Sequence, residues 1–253
     1  MMLSIAKIKE QLEQADENSR KALLEEYSLD SRAGVLKLVE KYRKQEQKLQ
    51  DEIARIQVLK QYERQYGDHQ FICGIDEVGR GPLAGPVVAG AVILDKDVDI
   101  LYLNDSKQLS EAKREALYEE IKEKAVAYAI GVVSPADIDE LNILQATYKA
   151  MRIAISKLQV KPDLLLNDAV IIPQVDVEQV KIIKGDAKSV SIAAASILAK
   201  VERDRMMVEY DKLYPEYHFA SNKGYGSAEH IKALKEIGPC AIHRSSFITH
   251  FVD

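Results

Sequence analysis

The sequence is poor in the residues that mark secreted and membrane proteins. Among its 253 residues it has no tryptophan and only two cysteines, Cys73 and Cys240, so we expect neither a disulfide framework nor a cysteine-based metal site. No stretch approaches the roughly 18 consecutive apolar residues that a membrane span requires. The opening residues turn charged too early for a secretory signal. These absences predict a cytoplasmic protein that has no membrane partner.

An excess of positive charge is also missing. The chain has 35 basic and 40 acidic residues and a formal net charge of −5, which excludes a polycation that binds nucleic acid with its whole surface. Any contact with nucleic acid must therefore use a local basic patch. The apolar fraction of 47% is ordinary for a globular chain and excludes disorder as the main state.

The first seventy residues differ from the rest of the chain. They contain equal numbers of acidic and basic residues, no proline and only two glycines. Helix-favouring residues, with apolar positions at helical spacing such as Ile5, Ile8 and Leu12, predict an all-helical N-terminal extension over residues 1–70. Two interpretations of this extension remain open: a structural helical bundle, or an arm that binds a partner or clamps a substrate.

Residues 71–253 have the pattern of an α/β domain. Short runs rich in β-branched residues alternate with longer segments of helical character. This alternation predicts a mixed central sheet flanked by helices. The predicted strands cover 71–77, 87–94, 126–133, 163–168 and 180–186. The predicted helices cover 110–125, 135–158 (as one or two helices), 189–214 and 228–237.

Acidic residues close three of the predicted strands. Asp76 and Glu77 end the first, Asp168 ends a second, and Asp186 ends a third. A turn-forming aspartate explains any one of them, but strand ends in α/β sheets are also where functional sites are built. Four carboxylates gathered there would repel each other unless a cation neutralised them, and Mg²⁺ or Mn²⁺, which prefer oxygen ligands, could then serve phosphodiester hydrolysis. Zinc is not expected, because the sequence has no His/Cys cluster and no metal-spaced pair among its five histidines.

Candidate substrate contacts accompany these carboxylates. The glycine-rich turn 78–86 allows close approach of the backbone and contains Arg80, a donor for phosphate. Two loops, 105–107 and 222–226, combine donors with small neighbours, and a tyrosine in the second could stack on a sugar or base. One face of the long predicted helix is small near its start and cationic further along, comprising Ser189, Ala193, Ser196, Lys200 and Arg203. Structural alternatives remain open for each feature: a plain tight turn for 78–86, ordinary loops for 105–107 and 222–226, packing against the sheet for the small half of the helix face, and a solvated surface for its cations.

Two long segments resemble the signature of the ribonuclease HII family, the bacterial type 2 ribonucleases H. They read GIDEVGRGPLAGPVVAGAVIL (74–94) and GDAKSVSIAAASILAKVERDRMM (185–207). Four shorter motifs fall in the family's order: DSKQLS (105–110), LLLNDAV (164–170), KGYGS (223–227) and HRSSF (243–247). The resemblance covers about residues 71–247 and does not reach the N-terminal extension. The sister family, ribonuclease HIII, has a lysine and an acidic residue where this chain has Gly79-Arg80-Gly81-Pro82, so it is disfavoured.

The resemblance implies an RNase H-like fold and a metal-dependent endonuclease. The family's four metal-binding carboxylates match Asp76, Glu77, Asp168 and Asp186, and its cofactor is Mn²⁺ or Mg²⁺. The implied activity cleaves the RNA strand of RNA/DNA hybrids and the 5′ side of ribonucleotides embedded in duplex DNA, leaving 3′-hydroxyl and 5′-phosphate ends. The implied role is removal of ribonucleotides and degradation of RNA primers. We expect the protein to act as a monomer.

The resemblance also implies substrate contacts. The turn Gly79-Arg80-Gly81 matches the element that senses the ribose 2′-hydroxyl through its backbone, and Tyr225 matches a tyrosine that stacks on the neighbouring deoxyribose. Further candidates are Ser106 and the possible phosphate contacts Lys107, Lys200, Arg203 and Lys223. Two departures from the family pattern are visible: Val78 replaces the usual alanine, and Ala169 stands where glycine is frequent. Neither departure removes a metal ligand.

Two other classes of function compete with the nuclease. A non-catalytic hybrid-binding module would lack one of the carboxylates, whereas all four are present. An interaction protein would act through the N-terminal helical arm and use the α/β domain as a scaffold. Every residue assigned to chemistry lies beyond residue 70, so we expect residues 71–253 to fold and cleave without the arm.

Overall fold

The computed structural model describes residues 3–252. Contacts within the chain divide it into two compact units, one that ends at Arg55 and one that begins at Ile56. Within the described range, no helix combines the length and the apolar character that crossing a membrane demands.

The first unit is helical, as the sequence predicts. Helix α1 spans Ile5–Gln14, α2 spans Glu17–Tyr27, and α3 spans Ala33–Leu59 and so extends past the end of this unit. Ser4 and Asp16 cap the first two helices, because their side chains accept hydrogen bonds from backbone N–H groups in the first turn. The buried core of this unit consists of Ile8, Leu12, Leu24, Tyr27, Val35, Val39 and Tyr42.

The second unit is built on a mixed β-sheet, which confirms the predicted fold class. Its strands stand in the order β3-β2-β1-β4-β5. The first three strands pair antiparallel, whereas β4 pairs parallel with β1 and with β5. The strands are β1 (Ile72–Val78), β2 (Val87–Leu94), β3 (Ala125–Val133), β4 (Leu164–Asp168) and β5 (Glu178–Ile182).

Helices cover both faces of this sheet. Along β2, Val92 packs in a cluster with helix α8 (Val190–Leu213), while Ala91 and Ile93 pack in a cluster with helix α7 (Ile143–Ser156), as the alternation of side chains along a strand requires. The predicted helical segment 135–158 is two helices, separated at Asn142, which has φ = 69°. The helices of this unit are α4 (Gln61–Gln65), α5 (Glu111–Lys124), α6 (Pro135–Leu141), α7 (Ile143–Ser156), α8 (Val190–Leu213), α9 (Phe219–Asn222), α10 (Ala228–Ile237) and α11 (Ser245–Ile248).

Helix α8 lies unusually close to the sheet. A Cβ atom added to Gly74 on β1 would lie 2.0 Å from the carbonyl carbon of Ser191, and one added to Gly90 on β2 would lie 2.4 Å from the carbonyl oxygen of Ala195. Both distances are far below van der Waals contact, so only glycine fits at these positions. This close packing favours the interpretation that the small residues of this helix pack against the sheet. Ser196, which follows Ala195 on α8, is buried close to Asp76 of β1.

The segment from Ile56 to Tyr66 packs on the sheet-bearing unit. Ile56 and Leu59 are buried in the same core cluster as α5 and α8, and Tyr62 and Tyr66 pack against a cluster of strand residues. Glu63 accepts hydrogen bonds from the Ser189 hydroxyl at 2.5 Å and from the backbone N–H of Ser191 at 3.1 Å. These contacts place the start of the second compact unit at Ile56. The sequence pattern, in contrast, predicts that the α/β domain begins at residue 71.

Candidate active site

The parallel pairing of β1 and β4 brings the first two acidic positions together. Ile75 pairs with Asn167, so the next residues along the two strands, Asp76 and Asp168, lie side by side at one edge of the sheet. Asp76 is 6% exposed, and Ser196 on α8 is close enough to its carboxyl group to lower the pKa of Asp76, against the stronger effect of burial.

A pair of buried serines lies close to Asp76. The hydroxyl of Ser106 lies 3.0 Å from that of Ser196, and Ser106 is itself buried. The expected contact of Ser106 with substrate stays a prediction, and in this structure its hydroxyl pairs with that of Ser196.

Asp186 reaches the same edge by a route different from the predicted one. Strand β5 ends at Ile182 and does not extend to residue 186. Lys184 then adopts the left-handed conformation (φ = 56°), which reverses the chain into a short 3-10 turn over Gly185–Ala187. The backbone N–H of Gly185 donates to Oδ1 of Asp168 at 2.7 Å, so this turn is tied to the second acidic position.

The residue after Asp168 explains one departure from the family pattern. Ala169 has φ = 53°, a left-handed conformation that glycine adopts without strain and that costs alanine roughly 1–2 kcal/mol. A glycine at this position would relieve that strain.

The carboxylates at this edge repel each other. Burial raises the pKa of Asp76 well above its usual range, and the charges of Glu77 and Asp168 raise it further. Burial also raises the pKa of Glu77, although the nearby Arg80 opposes this effect. For Asp186, burial and then the charges of Asp105 and Asp168 raise the pKa. Negative charge is therefore concentrated here beyond what the neighbouring cations offset.

The donor set fits a hard divalent cation. Oε2 of Glu77 is buried and has no hydrogen-bond partner within residues 3–252, whereas Oε1 lies 3.3 Å from Nη1 of Arg80. Leaving a buried carboxylate oxygen unpaired is unfavourable, and a bound cation would satisfy it. Among the described side chains, no group of three or more His, Cys, Asp or Glu is arranged so that it could hold a metal ion as it stands. Asp168 is nevertheless close enough to Asp76, Glu77 and Asp186 to raise the pKa of each, and carboxylate oxygens are the ligands that Mg²⁺ and Mn²⁺ prefer.

Arg203 holds the glycine-rich turn from below. It is fully buried, and its guanidinium donates at 2.8–3.1 Å to the carbonyl oxygens of Ala84, Pro86 and Lys223. The expected phosphate contact by Arg203 is not supported by this geometry, because its donors face backbone oxygens inside the protein. Gly79 (φ = 92°) accommodates this arginine, since a Cβ atom there would lie 2.3 Å from its Nε.

Arg244 is a second buried arginine under the same turn, and residue-type reasoning missed it. It lies within the motif HRSSF (243–247), to which the family resemblance attaches no role. Its guanidinium donates at 2.6–3.3 Å to the carbonyl oxygens of Gly79, Arg80, Gly85 and Pro86. Together the two arginines fix most of the carbonyl groups between residues 79 and 86.

The loop that contains Tyr225 is tied to this turn. The backbone N–H groups of Leu83 and Ala84 both donate to the carbonyl oxygen of Gly224, at 2.8 and 3.3 Å. The Tyr225 ring is 45% exposed, and a Cβ atom on Gly81 would lie 3.9 Å from its Cε1. Gly81 and the Tyr225 ring therefore border one exposed surface.

Two of the predicted cationic contacts are exposed beside the carboxylates. Arg80 and Lys107 both reach solvent. Lys107 is close enough to Glu77 and Asp186 to lower the pKa of each, against the stronger effect of burial. These two side chains are positioned to meet phosphates next to the acidic cluster.

The other two lysines are engaged within the protein. Nζ of Lys200 lies 2.6 Å from a carboxylate oxygen of Asp204, and both side chains are largely buried. Nζ of Lys223 donates to the carbonyl oxygen of Ala220. Contact of either lysine with a phosphate would require it to leave its present partner.

Comparison with known proteins gives concordant matches along the chain. The family model "Ribonuclease HII" matches residues 73–250, and the model "Ribonuclease HII N-terminal domain" matches residues 4–67. A protein of Lachnoclostridium phytofermentans named ribonuclease HII is 63% identical over 98% of both chains. One of Caldanaerobacter subterraneus with the same name is 57% identical, over 79% of this chain and 84% of its own. The crystal structure of ribonuclease H2 from Pyrococcus horikoshii has a TM-score of 0.61 at 29% identity, covering 70% of this chain and 93% of that one.

Proposed function

This chain belongs to the ribonuclease HII family and is a ribonuclease H endonuclease, and on that premise we propose where and how it cuts. We propose that it cleaves the RNA strand of RNA/DNA hybrids, and the 5′ side of ribonucleotides embedded in duplex DNA, at the carboxylate cluster. The observation that carries this proposal is the convergence of Asp76, Glu77, Asp168 and Asp186 at one edge of the sheet, with an unpartnered buried oxygen on Glu77.

The four carboxylates would hold the divalent cation, Mg²⁺ or Mn²⁺. Such ions, when bound, supply an activated water and stabilise charge on the leaving oxygen of a phosphodiester, so 3′-hydroxyl and 5′-phosphate products result. The protein's own contribution is positional. The N–H of Gly185 orients the Asp168 carboxylate, so this ligand is aimed before an ion arrives.

The glycine-rich turn would recognise the ribose. The carbonyl oxygens of Gly79 and Arg80 accept hydrogen bonds from Arg244, so we assign the sensing of the 2′-hydroxyl to the N–H groups of Arg80 and Gly81. This group distinguishes RNA from DNA at a single position. The exposed ring of Tyr225 would stack on the adjacent deoxyribose, and Lys107 would meet a phosphate.

We place the chemistry within residues 71–253 and treat residues 1–70 as an extension that does not supply a catalytic group. All four carboxylates and the whole turn lie beyond residue 70.

A single-ribonucleotide duplex tests the proposal. The full chain should cut this duplex and a long RNA/DNA hybrid when Mg²⁺ or Mn²⁺ is present, and should not cut an all-DNA duplex or any substrate in a chelator. Asp76→Asn should lower the rate by about 100-fold or more, because it removes a charged ligand. The matched control is Asp176→Asn, which makes the same change at an exposed position in the loop before β5. Equal rates for the two folded variants would refute the assignment of the site.

A further inference from the structure

Two histidines that are distant in sequence meet in the interior. His230 on α10 and His243, in the segment before α11, are both buried, and their Nε2 atoms lie 2.9 Å apart. Nδ1 of His243 lies 2.9 Å from the backbone nitrogen of Cys240 and 3.2 Å from its sulfur. The sequence spacing gave no sign that these residues meet, because they are not spaced as metal ligands are.

The cluster is a hydrogen-bonded chain and not a metal site. Two nitrogen ligands of one tetrahedral zinc ion lie roughly 3.3 Å apart, given Zn–N bonds of about 2.05 Å, which exceeds the observed separation. In the described part of the chain no set of three metal-binding side chains surrounds an ion position. Burial lowers the pKa of His230 and lowers that of His243 to about 4, so both rings are neutral at pH 7.

Only one pair of tautomers satisfies every group. The backbone N–H of Cys240 donates to Nδ1 of His243, so that nitrogen carries no proton and the proton is on Nε2. Nε2–H of His243 must then donate to Nε2 of His230. The remaining proton of His230 is on Nδ1 and points to the carbonyl oxygen of Tyr225, at 2.8 Å.

This chain ends on the peptide that carries the exposed aromatic ring. The Tyr225 carbonyl accepts from Nδ1 of His230 and also from the N–H of Ser227 at 2.8 Å. Phe219 packs edge-on against His230 at 5.3 Å between ring centroids, and Tyr217 packs edge-on against His243 at 4.8 Å. The imidazoles are thus held in place by aromatic rings on one side and by backbone groups at both ends.

We propose that His230 and His243 form a positioning pair that sets the direction of the Tyr225 ring beside the glycine-rich turn. The pair contacts neither the carboxylates nor the exposed surface, and it acts through one backbone carbonyl. The inference rests on the proposed function in one respect, since Tyr225 must contact the nucleotide for the pair to affect cleavage. It predicts an effect on substrate affinity with little effect on the chemical step.

Two substitutions of His230 separate positioning from packing. Asn places its amide nitrogen near the position of Nδ1 and keeps a donor to Tyr225, whereas Gln places its amide near Nε2 and loses that donor. In the full chain, His230→Gln should raise KM for a single-ribonucleotide duplex by about 3- to 10-fold with kcat within about twofold. His230→Asn should restore a KM close to that of the unmodified protein.

Coupling to Tyr225 gives the sharper criterion. In a Tyr225→Ala background, His230→Gln should change KM by less than about twofold, because the ring it positions is gone. The proposal would be overturned if His230→Gln raised KM by the same factor in the Tyr225→Ala background as in the unmodified protein. Equal KM values for the His230→Gln and His230→Asn variants would also overturn it. Thermal melting of each variant shows whether a loss of affinity reflects unfolding.

A spectroscopic test does not depend on cleavage. In the full chain with ¹⁵N-labelled histidine at pH 7, His243 should be protonated at Nε2 and His230 at Nδ1, and both rings should be neutral. His230→Gln should shift the backbone amide resonances of residues 225–227 more than His230→Asn does. A proton on Nδ1 of His243 or on Nε2 of His230, or a charged ring at pH 7, would overturn the proposed positioning pair even if the enzyme is active. Failure of the unmodified protein to cleave would instead refute the proposed function and leave this result interpretable.

Discussion

Shortening the chain at residue 70 removes side chains that belong to the sheet-bearing unit. Ile56 and Leu59 are 0% and 4% exposed, and burial of two such side chains contributes about 3–6 kcal/mol. The two hydrogen bonds that Glu63 accepts at the start of α8 contribute about 1.5–3 kcal/mol each, because the acceptor is a carboxylate. Their combined loss is comparable with the whole stability of an ordinary domain, about 5–15 kcal/mol.

We therefore expect residues 71–253 to be unfolded or severely destabilised, although the sequence pattern alone predicts an independent domain. A chain that starts at Lys48 should remain folded and should cleave, because it keeps these contacts and about two helical turns before Ile56. Urea denaturation followed by circular dichroism compares the two shortened chains directly. Similar urea midpoints for both would show that residues 56–66 contribute little, and a folded 48–253 chain that binds metal without cutting would show that the first helices complete the site.

Three further predictions follow from the site. Asp168→Asn should lower the cleavage rate by about 100-fold or more, because it removes a charged metal ligand. It should not lower the melting temperature, because the amide removes repulsion between carboxylates and its oxygen can still accept the hydrogen bond from the N–H of Gly185. Near-normal turnover in a folded variant would contradict this. Lys107→Ala should reduce the slope of log affinity against log salt concentration by about one unit. Lys200→Ala should leave that slope nearly unchanged. If the larger reduction is instead seen for Lys200→Ala, Lys200 leaves its partner Asp204 to meet a phosphate. Because the pKa of His243 is lowered to about 4 in the folded state, the unfolded chain takes up a proton first as the pH falls below about 6.5. The contribution of the neutral His243 ring to the free energy of unfolding should therefore be constant above about pH 6.5 and decline towards pH 4. In denaturation curves measured across this range, His243→Gln should show a smaller decline than the unmodified protein. The same pH dependence in both proteins would refute the assignment.

The sequence predicts the sheet and the acidic cluster because both depend on local patterns. The β-branched run 87–94 is a strand with the predicted bounds, and the parallel register of β1 and β4 then suffices to bring Asp76 beside Asp168. The small residues at the start of α8 predict packing against the sheet, and Gly74 and Gly90 show how close that packing is.

Features that depend on distant contacts could not be predicted in this way. Arg203 lies on a helix face that also carries Lys200, so its charge alone suggested a phosphate contact, while its burial depends on the turn folding over it. The approach of Asp186 depends on a left-handed residue, Lys184, and lysine carries no sequence signal for that conformation. His230 and His243 have no characteristic spacing, because α10 and the segment before α11 are brought together by tertiary packing.

The buried arginines under the glycine-rich turn have a thermodynamic consequence for recognition. Their guanidinium groups hold five carbonyl groups of the turn, those of Gly79, Arg80, Ala84, Gly85 and Pro86. A loop fixed in this way loses little conformational entropy when a nucleotide arrives, so little of the binding free energy is spent on ordering it. A turn that does not adapt also cannot relax around a deoxyribose to recover the missing interaction. Under the proposed function, selectivity for a single ribonucleotide would then depend on the full free energy of the hydrogen bonds to one 2′-hydroxyl, because the surface that makes them stays in place.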